Sequence, residues 1–236
     1  MFEARASESE FLDAKDCDPQ LASISYTFMR LVNRFAGGTK VVKNFLAKEI
    51  SRNEVRQPMR ILDIGSGTCD IPLALTEWAR KKTWRIEFTC LEANETALII
   101  AEENIRKSGF DSIELKNENI FEFKPREPFD YAIGSLFFHH LEDEQILILI
   151  EKLRSYVLRG ILINDLRRNL MCYGGCSVLL CLLPKNLKHD ALLSIRKGFK
   201  ADELSRLLSG LKDARVDVKN HSFSRLTAVI RFDHRG

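Results

Sequence analysis

Residues 60–69, which read Arg-Ile-Leu-Asp-Ile-Gly-Ser-Gly-Thr-Cys, combine residue types that could hold a cofactor. Apolar residues around one carboxylate, Asp63, are typical of a short buried strand. Gly65 and Gly67 then permit a sharp turn in which a ligand can approach bare backbone. The next segment, 71–82, has the apolar periodicity of a helix. Strand, glycine turn and helix in this order indicate a site for an adenosine-containing cofactor at the carboxyl end of a parallel sheet.

The residue after this glycine turn narrows the choice of cofactor. A nicotinamide dinucleotide site requires a third glycine where this chain has Asp70. A carboxylate there would repel the pyrophosphate that binds a helix N-terminus. No Gly-Lys-Ser or Gly-Lys-Thr follows, so the phosphate-binding loop of nucleotide triphosphatases is also missing. The remaining interpretation is a cofactor that contains adenosine but no phosphate.

The run Asp63-Ile-Gly-Ser-Gly-Thr resembles the first motif of class I S-adenosylmethionine-dependent methyltransferases. The resemblance implies that Gly65, Ser66 and Gly67 pass beside the methionine part of S-adenosyl-L-methionine, and that Asp63 orders its ammonium group. Carboxylates suit a cofactor that carries sulfonium and ammonium charges. The sequence departs from the family at the third glycine, which is Cys69 here.

Later strand ends supply further candidates for the same site. Glu92 ends the second predicted strand, and Ala93 follows it. A carboxylate at this position can accept hydrogen bonds from both ribose hydroxyls. The alternative is an ordinary solvated glutamate. The resemblance implies that Asn119 stands where the family often has an aspartate against the adenine amino group, with Ile120 against the ring. Ser135 either lines the methyl-donor pocket or only packs.

Two histidines, His139 and His140, follow the fourth predicted strand at the edge where ligands bind in such sheets. Histidine titrates near neutral pH, so either one could deprotonate a phenol or an enol. The alternative is that one caps a loop and the other packs inward, since many methyltransferases of this type use no base.

Candidates for the methyl acceptor follow the fifth predicted strand. Asp165, Arg167 and Arg168 could hold an anionic or oxygen-rich acceptor, or form an ordinary loop ion pair. Tyr173 lies in an apolar segment that would cover an apolar or aromatic acceptor. Arg196 belongs to a further stretch that resembles bacterial methyltransferases associated with polyketide and quinone-like aromatic metabolites, and we group it with the acceptor-binding residues.

Alternation of strands and helices predicts an α/β fold, a Rossmann-like doubly wound sheet of seven mostly parallel strands with an antiparallel terminal hairpin. The predicted strands are 61–64, 86–91, 113–115, 131–136, 161–164, 214–219 and 226–232. The predicted helices are 20–35, 39–50, 71–82, 95–108, 142–158, 170–183 and 201–210. We expect residues 1–57 to be a helical extension that covers the active site of a methyltransferase domain, residues 58–236, with a helical cover at about 170–200.

Composition excludes several classes of function. Hydrophobic and charged residues make up 45% and 29% of 236 residues, and the net charge is only +3, which gives no basic face for nucleic acid. No membrane span or secretory signal is expected, and we predict a cytoplasmic protein.

The six cysteines are interpreted as small buried hydrophobic residues. Cys172 and Cys176 have no ligand cluster around them, so we predict no metal site.

These features predict methyl transfer from S-adenosyl-L-methionine to a small, aromatic or hydroxylated molecule. Nucleic-acid methyltransferases with a Pro-Pro or Pro-Cys motif are excluded because the chain has neither pair. Two alternatives stay open: a protein-directed methyltransferase, and a non-catalytic cofactor-binding scaffold, for which Cys69 and Asn119 are the main arguments. The sequence leaves the oligomeric state unknown.

Overall fold

The computed structural model describes residues 2–13, 18–52, 58–180, 184–221 and 224–233. Its centre is a seven-stranded sheet with the order β3-β2-β1-β4-β5-β7-β6. The strands are Met59–Ile64 (β1), Ile86–Glu92 (β2), Ile113–Asn117 (β3), Phe129–Ser135 (β4), Val157–Leu166 (β5), Ala214–Asn220 (β6) and Arg225–Phe232 (β7). The first five strands pair in parallel, and β7 runs antiparallel to both β5 and β6. The predicted α/β class, strand number and terminal hairpin are confirmed.

Eight α-helices surround the sheet within the described residues. They are Pro19–Phe35 (α1), Gly38–Arg52 (α2), Asp70–Arg80 (α3), Glu95–Ser108 (α4), Asp143–Arg154 (α5), Leu170–Leu179 (α6), Lys185–Lys197 (α7) and Ala201–Leu208 (α8). Short 3-10 helices occur at Phe11–Asp13 and Phe138–His140.

Four predicted helices end earlier than expected, two of them by two residues, since 71–82 ends at Arg80 and 201–210 ends at Leu208. The helix predicted for 142–158 stops at Arg154, because Val157 already pairs with Phe129 of β4. The helix predicted for 170–183 stops at Leu179, and residues 181–183 lie outside the described part of the chain. A separate helix, α7, follows in the segment for which the sequence predicted only a general cover.

Alternating side chains of the strands feed two apolar layers, one on each face of the sheet. Met59 and Ile61 of β1 pack with α2, α3 and α4 on one face. Leu62 and Ile64 point the other way and pack with α5 and α8. Because β1 is buried on both sides, its alternation of faces fixes the register of the strand that leads into the glycine turn.

The N-terminal helices are tied to the sheet by specific polar contacts. Asp18 caps α1 by accepting a hydrogen bond from the Gln20 amide at 3.0 Å. On α2, Glu49 accepts hydrogen bonds from the Tyr131 hydroxyl at 2.9 Å and from Arg231 at 2.6 Å. Since Tyr131 and Arg231 belong to β4 and β7, Glu49 fixes α2 against the middle of the sheet.

Two further sequence predictions concern the described residues. None of the helices in these ranges is long and apolar enough to cross a membrane. The four cysteines that the structure describes, Cys69, Cys90, Cys172 and Cys176, are free thiols.

We predict that Gly160→Ala lowers the free energy of unfolding by about 2 kcal/mol or more, because overpacking at a strand pair forces the backbone to move. A Cβ atom at Gly160 would lie 2.1 Å from the backbone oxygen of Ile230 on β7. Urea denaturation measures the change. Gly175→Ala is the matched control, since a Cβ there meets no atom within 4 Å and alanine favours a helix. Equal stability of the two variants would contradict the close β5–β7 approach.

Candidate active site

The strand order places a topological switch point between β1 and β4, where ligands bind in open α/β sheets. A cavity of about 420 Å³ opens there, at the carboxyl ends of the strands. Both candidate histidines and every predicted cofactor-binding residue line it, namely Asp63, Gly65, Ser66, Gly67, Glu92, Ala93, Asn119, Ile120, Ser135, His139 and His140. The structure therefore brings together residues from five separate segments, and their individual roles remain predictions.

The turn between β1 and α3 needs its glycines. Gly65 and Gly67 have φ angles of +63° and +54°, in the left-handed region. A Cβ atom at Gly65 would lie 2.5 Å from Cδ2 of Phe137. Cys69 also has a positive φ, +57°, and is fully buried. The position of the family's third glycine therefore coincides with a strained backbone position here.

Three carboxylates crowd the carboxyl edge of β1 and β2. Burial raises the pKa of Asp63 well above its ordinary value, and the nearby charges of Asp70 and Glu92 raise it further. Burial also raises the pKa of Asp70, although a hydrogen bond from Asn33 opposes the shift. A ligand with positive charge would relieve this repulsion. The site therefore fits a cofactor with sulfonium and ammonium groups better than one with phosphates.

Glu92 is held in place by backbone amides. Its Oε2 accepts a hydrogen bond from Gly67 at 2.8 Å, and its Oε1 accepts from Ala93 and Asn94, both at 2.9 Å. Each carboxylate oxygen has two lone pairs, so Oε1 is fully engaged by these amides and Oε2 keeps one lone pair for a donor from a ligand. This geometry leaves Oε2 available to a ribose hydroxyl, and the bidentate contact stays a prediction.

Asn119 and Ile120 lie after β3 and line the same cavity as the glycine turn. The Oδ1 atom of Asn119 accepts a hydrogen bond from the Phe121 amide at 2.9 Å, and it keeps one lone pair for a ligand. Ile120 is buried and lines the cavity. Ser135 sits at the end of β4, where its hydroxyl accepts a hydrogen bond from Asn164 of β5. Ser135 therefore both packs and faces the cavity.

The most constrained polar group in the cavity is His139. Its Nδ1 lies 2.6 Å from Oδ1 of Asp165, and its backbone amide donates to Oδ2 at 3.1 Å. The amide of Leu166 adds a third bond to Asp165 at 2.7 Å. His139 is 3% exposed and Asp165 is fully buried, so the pair is largely shielded from bulk solvent. The bond to Nδ1 restricts the ring, and Nε2 lies 3.9 Å from Oε1 of Glu10, which also lines the cavity.

The carboxylate of Asp165 fixes the tautomer of this imidazole. Burial raises the pKa of Asp165, but the His139 imidazole, through its charge and hydrogen bond, and the Leu166 amide lower it more, so the net shift is downward. Asp165 is therefore ionised at neutral pH and accepts a hydrogen bond from Nδ1–H of His139. In the neutral imidazole, Nε2 then carries the lone pair that a general base requires.

The residues predicted to bind the acceptor are placed elsewhere. None of Asp165, Arg167, Arg168, Tyr173 and Arg196 is among the described residues that line the cavity. Asp165 holds His139 instead, and the backbone of Arg167 bonds to Ser224 and bridges to Phe199. The geometry therefore gives these five residues supporting roles behind the cavity wall.

Three of these five residues hold the N-terminal segment 2–13, which we call the strap. Arg168 donates to the carbonyl oxygens of Phe2 and Glu3, both at 3.2 Å, and pairs with Glu203. Tyr173 and Arg196 contact the strap through the ring of Phe2 and the carboxylate of Glu8. In this structure these side chains contact the strap, and their predicted role in acceptor binding stays a prediction.

Arg5 and Asp190 fix the strap at its two ends. The guanidinium of Arg5 donates to the carbonyl oxygens of His139 at 3.1 Å and Leu141 at 2.7 Å. Asp190 of α7 accepts hydrogen bonds from the amides of Phe11 and Leu12 at 3.0 and 3.1 Å. These contacts bring Glu10 and Leu12 into the cavity wall.

Sequence reasoning missed Glu10, which is buried beside His139. Its Oε1 lies 3.9 Å from Nε2 of His139 and 3.6 Å from Nζ of Lys197. Glu10, His139 and His140 offer ligand atoms within 4.8 Å of one another, a set that could hold a metal ion. The ammonium of Lys197 approaches the same oxygen, and we assign no metal to this cluster. No local sequence pattern singled out this residue.

Comparisons with known proteins were made on the whole chain. The family model of the methyltransferase domain matches residues 56–195. No curated protein matches the chain at the significance required.

Similar solved structures all cover most of the chain. The plantazolicin methyltransferase BpumL in complex with SAH has a TM-score of 0.70 at 14% identity, covering 95% of this chain and 93% of that chain. Its complex with a triazolic desmethylPZN analog and SAH gives 0.69 at 15% identity, with the same coverage. Magnesium protoporphyrin IX methyltransferase (ChlM) from Synechocystis PCC 6803 with bound SAH gives 0.58 at 12% identity, covering 84% of each chain. At these identities the likeness shows the fold.

We predict that two substitutions at Cys69 affect the stability of the protein to different extents. Cys69→Gly changes the free energy of unfolding by no more than about 1 kcal/mol, because relief of the left-handed backbone offsets the lost side chain. Cys69→Val lowers it by about 2 kcal/mol or more, since a β-branched residue is strained there. Thermal unfolding measures both. Cys90→Val, at a buried cysteine in the ordinary backbone of β2, is the matched control, and equal tolerance of valine at both positions would contradict the strain.

Proposed function

The chain belongs to the methyltransferase domain family and depends on S-adenosylmethionine, and on this premise we propose that it methylates a small, aromatic or hydroxylated molecule. The observation that carries the proposal is the arrangement of one cavity. The cavity is lined by the glycine turn with its carboxylates, by His139, which Asp165 holds from outside the lining, and by apolar side chains of α1 and α7. We assign the glycine turn and its carboxylates to a cofactor end, and His139 to an acceptor end.

The cofactor end of the cavity has a donor or acceptor for each polar part of the cofactor. Asp63 would order the ammonium group and Glu92 the ribose hydroxyls, while Asn119 and Ile120 would hold the adenine. Gly65, Ser66 and Gly67, with Ala93 and Ser135, would complete the walls. When bound, S-adenosylmethionine supplies a methyl group on a positively charged sulfur, which needs no further activation.

The acceptor end supplies orientation and a base. Holding two reactants in line accounts for most of the catalysis in such a displacement. Nε2 of His139 takes the proton of the acceptor hydroxyl or amine, and Asp165 holds the resulting imidazolium. The proton then leaves to solvent once the product has departed. Leu187 and Ile195 of α7, with Met29 of α1, supply an apolar wall that excludes water from the reacting atoms.

The strap, α1, α6 and α7 together would form the cover of this site. Each contributes side chains to the cavity wall: Leu12 from the strap, Tyr26 from α1, Cys176 from α6 and Leu187 from α7. We therefore propose one methyltransferase domain whose N-terminal residues 1–57 and helical segment at about 170–200 enclose the acceptor. The cytoplasmic location stays a prediction from the sequence.

A methyl-transfer assay on small-molecule extracts tests the proposed function. Methyl-labelled S-adenosylmethionine, the protein and a fraction below about 1 kDa should yield a labelled product, because the cavity is of the size that holds small ligands. The His139→Gln variant, for which we expect little labelled product, is the negative control. Label in the protein fraction alone would favour the protein-directed alternative. Absence of label from both fractions, with SAH bound, would favour a scaffold.

We predict that SAH affinity rises from about pH 5 to about pH 8, because an ammonium ligand favours the ionised form of Asp63. Burial and the charges of Asp70 and Glu92 raise the pKa of Asp63, so below that pKa binding must release a proton. Calorimetry in buffers of different ionisation enthalpy measures this proton release. Asp63→Asn should bind more weakly and without this release. A pH-independent affinity of the wild type would contradict the placement of the ammonium beside Asp63.

We predict that His139→Gln lowers turnover by about 100-fold or more, since loss of a general base removes a factor of this size. SAH affinity should stay within about threefold, because the ring lies at the acceptor end. Single-turnover assays and calorimetry separate the two quantities. His140→Gln, at the neighbouring exposed ring, is the comparison. A larger loss of turnover in His140→Gln would move the base to that residue, and full activity of both would eliminate it.

A further inference from the structure

The charge of the cavity wall is one-sided. Six carboxylate side chains line it, and none of the described lining residues is a lysine or an arginine. The six are Glu10, Asp63, Asp70, Glu92, Glu118 and Asp190. A cavity of this kind attracts positive charge and opposes negative charge.

The cofactor and the strap account for most of these carboxylates. Asp63 and Glu92 lie at the carboxyl ends of β1 and β2, Asp70 begins α3 and Glu118 follows β3, and we assign this group to the cofactor end. Asp190 is engaged by the strap amides. Glu10 remains at the acceptor end, next to the candidate base.

Glu10 is built into the site as an acceptor of hydrogen bonds. It is 6% exposed, and within the described residues no donor lies at hydrogen-bonding distance from its buried Oε1 atom. Nε2 of His139, 3.9 Å away, is a second acceptor when the imidazole is neutral. Lys197 approaches Glu10 at 3.6 Å but is not part of the cavity wall. A ligand that reaches this corner therefore meets two acceptors in the cavity wall, while the Lys197 ammonium lies beside Glu10 outside that wall.

We infer that the methyl acceptor is a neutral or cationic molecule without a carboxylate or phosphate group, and that Glu10 is the residue that rejects anionic acceptors. The inference rests on the proposed function and specifies its substrate class. It reverses the expectation that Arg167 and Arg168 hold an anionic acceptor, because Arg168 binds the strap and Glu203.

The physical basis is desolvated charge. A hydroxyl or an ammonium can donate a hydrogen bond to Oε1 of Glu10, which otherwise accepts none from the described residues. A carboxylate in the same corner would face a buried like charge at short range, where the effective dielectric constant is far below that of water. Strap contacts hold Glu10 in place, so the repulsion is not relieved by a simple rotation into solvent.

Three matched phenols test the inference by calorimetry on the SAH complex. The neutral probe is 4-ethylphenol, the cationic probe is tyramine, and the anionic probe is 3-(4-hydroxyphenyl)propanoate. We expect the anionic probe to bind at least about tenfold more weakly than the neutral probe, and tyramine to bind no more weakly than it. In Glu10→Gln the difference between anionic and neutral probes should fall below about threefold.

Glu3→Gln is the matched control, since it removes an exposed carboxylate from the same strap while keeping the backbone carbonyl that binds Arg168. This variant should keep the wild-type preference. Equal binding of the anionic and neutral probes to the wild type, or an unchanged difference in Glu10→Gln, would overturn the inference, as would failure of the neutral and cationic probes to bind at millimolar concentration. If Glu10→Gln does not fold, the comparison of the three phenols on the wild-type protein tests the inference by itself. Loss of SAH binding in the wild type would instead count against the proposed function.

Discussion

The burial of several carboxylates at one edge of the sheet is the constraint on which the site depends. Asp165 is stabilised by His139 and by the charge of fully buried Arg225. Burial lowers the pKa of Arg225 to about 10, although Asp165 and Asp70 raise it, so the guanidinium stays charged at neutral pH. Asp63 differs, because the charges that act on it are both negative. The charges of Asp70 and Glu92 therefore repel an ionised Asp63, and a cationic cofactor would relieve this repulsion.

The fold converts this constraint into a directed cavity. Parallel strands β1, β2, β4 and β5 all end at the same edge, so groups far apart in sequence meet there. β5 delivers Asp165 directly behind His139, which follows β4. The strap is held beside His139 through backbone hydrogen bonds to Asp190 and Arg168. One part of the cavity wall consequently depends on a segment that precedes the sheet in the chain.

The sequence allowed prediction of whatever is encoded locally. The glycine turn after β1, the carboxylate that ends β2 and the histidines after β4 were all predicted, because strand periodicity and turn residues are short-range signals. The position of Cys69 was identified as irregular, but its positive φ became visible only in three dimensions.

Tertiary contacts explain what the sequence did not predict. Arg168 follows the fifth predicted strand, and Arg196 precedes the helix predicted for 201–210. A guanidinium at either position is equally suited to bind a ligand or another part of the chain. The strap has no apolar periodicity, so nothing in its local pattern indicated that Glu10 would be buried beside His139. The partner of a polar side chain is set by chain topology, which single-sequence patterns do not determine.

A crystal structure of the SAH complex tests the central claim most directly, namely that the two ends of this cavity hold cofactor and acceptor. We expect the ammonium of SAH beside Asp63, its ribose on Glu92, and its sulfur facing the space in front of His139 and Glu10. A sulfur atom directed away from His139, or SAH bound with its adenine at the His139 end, would contradict this assignment of the site.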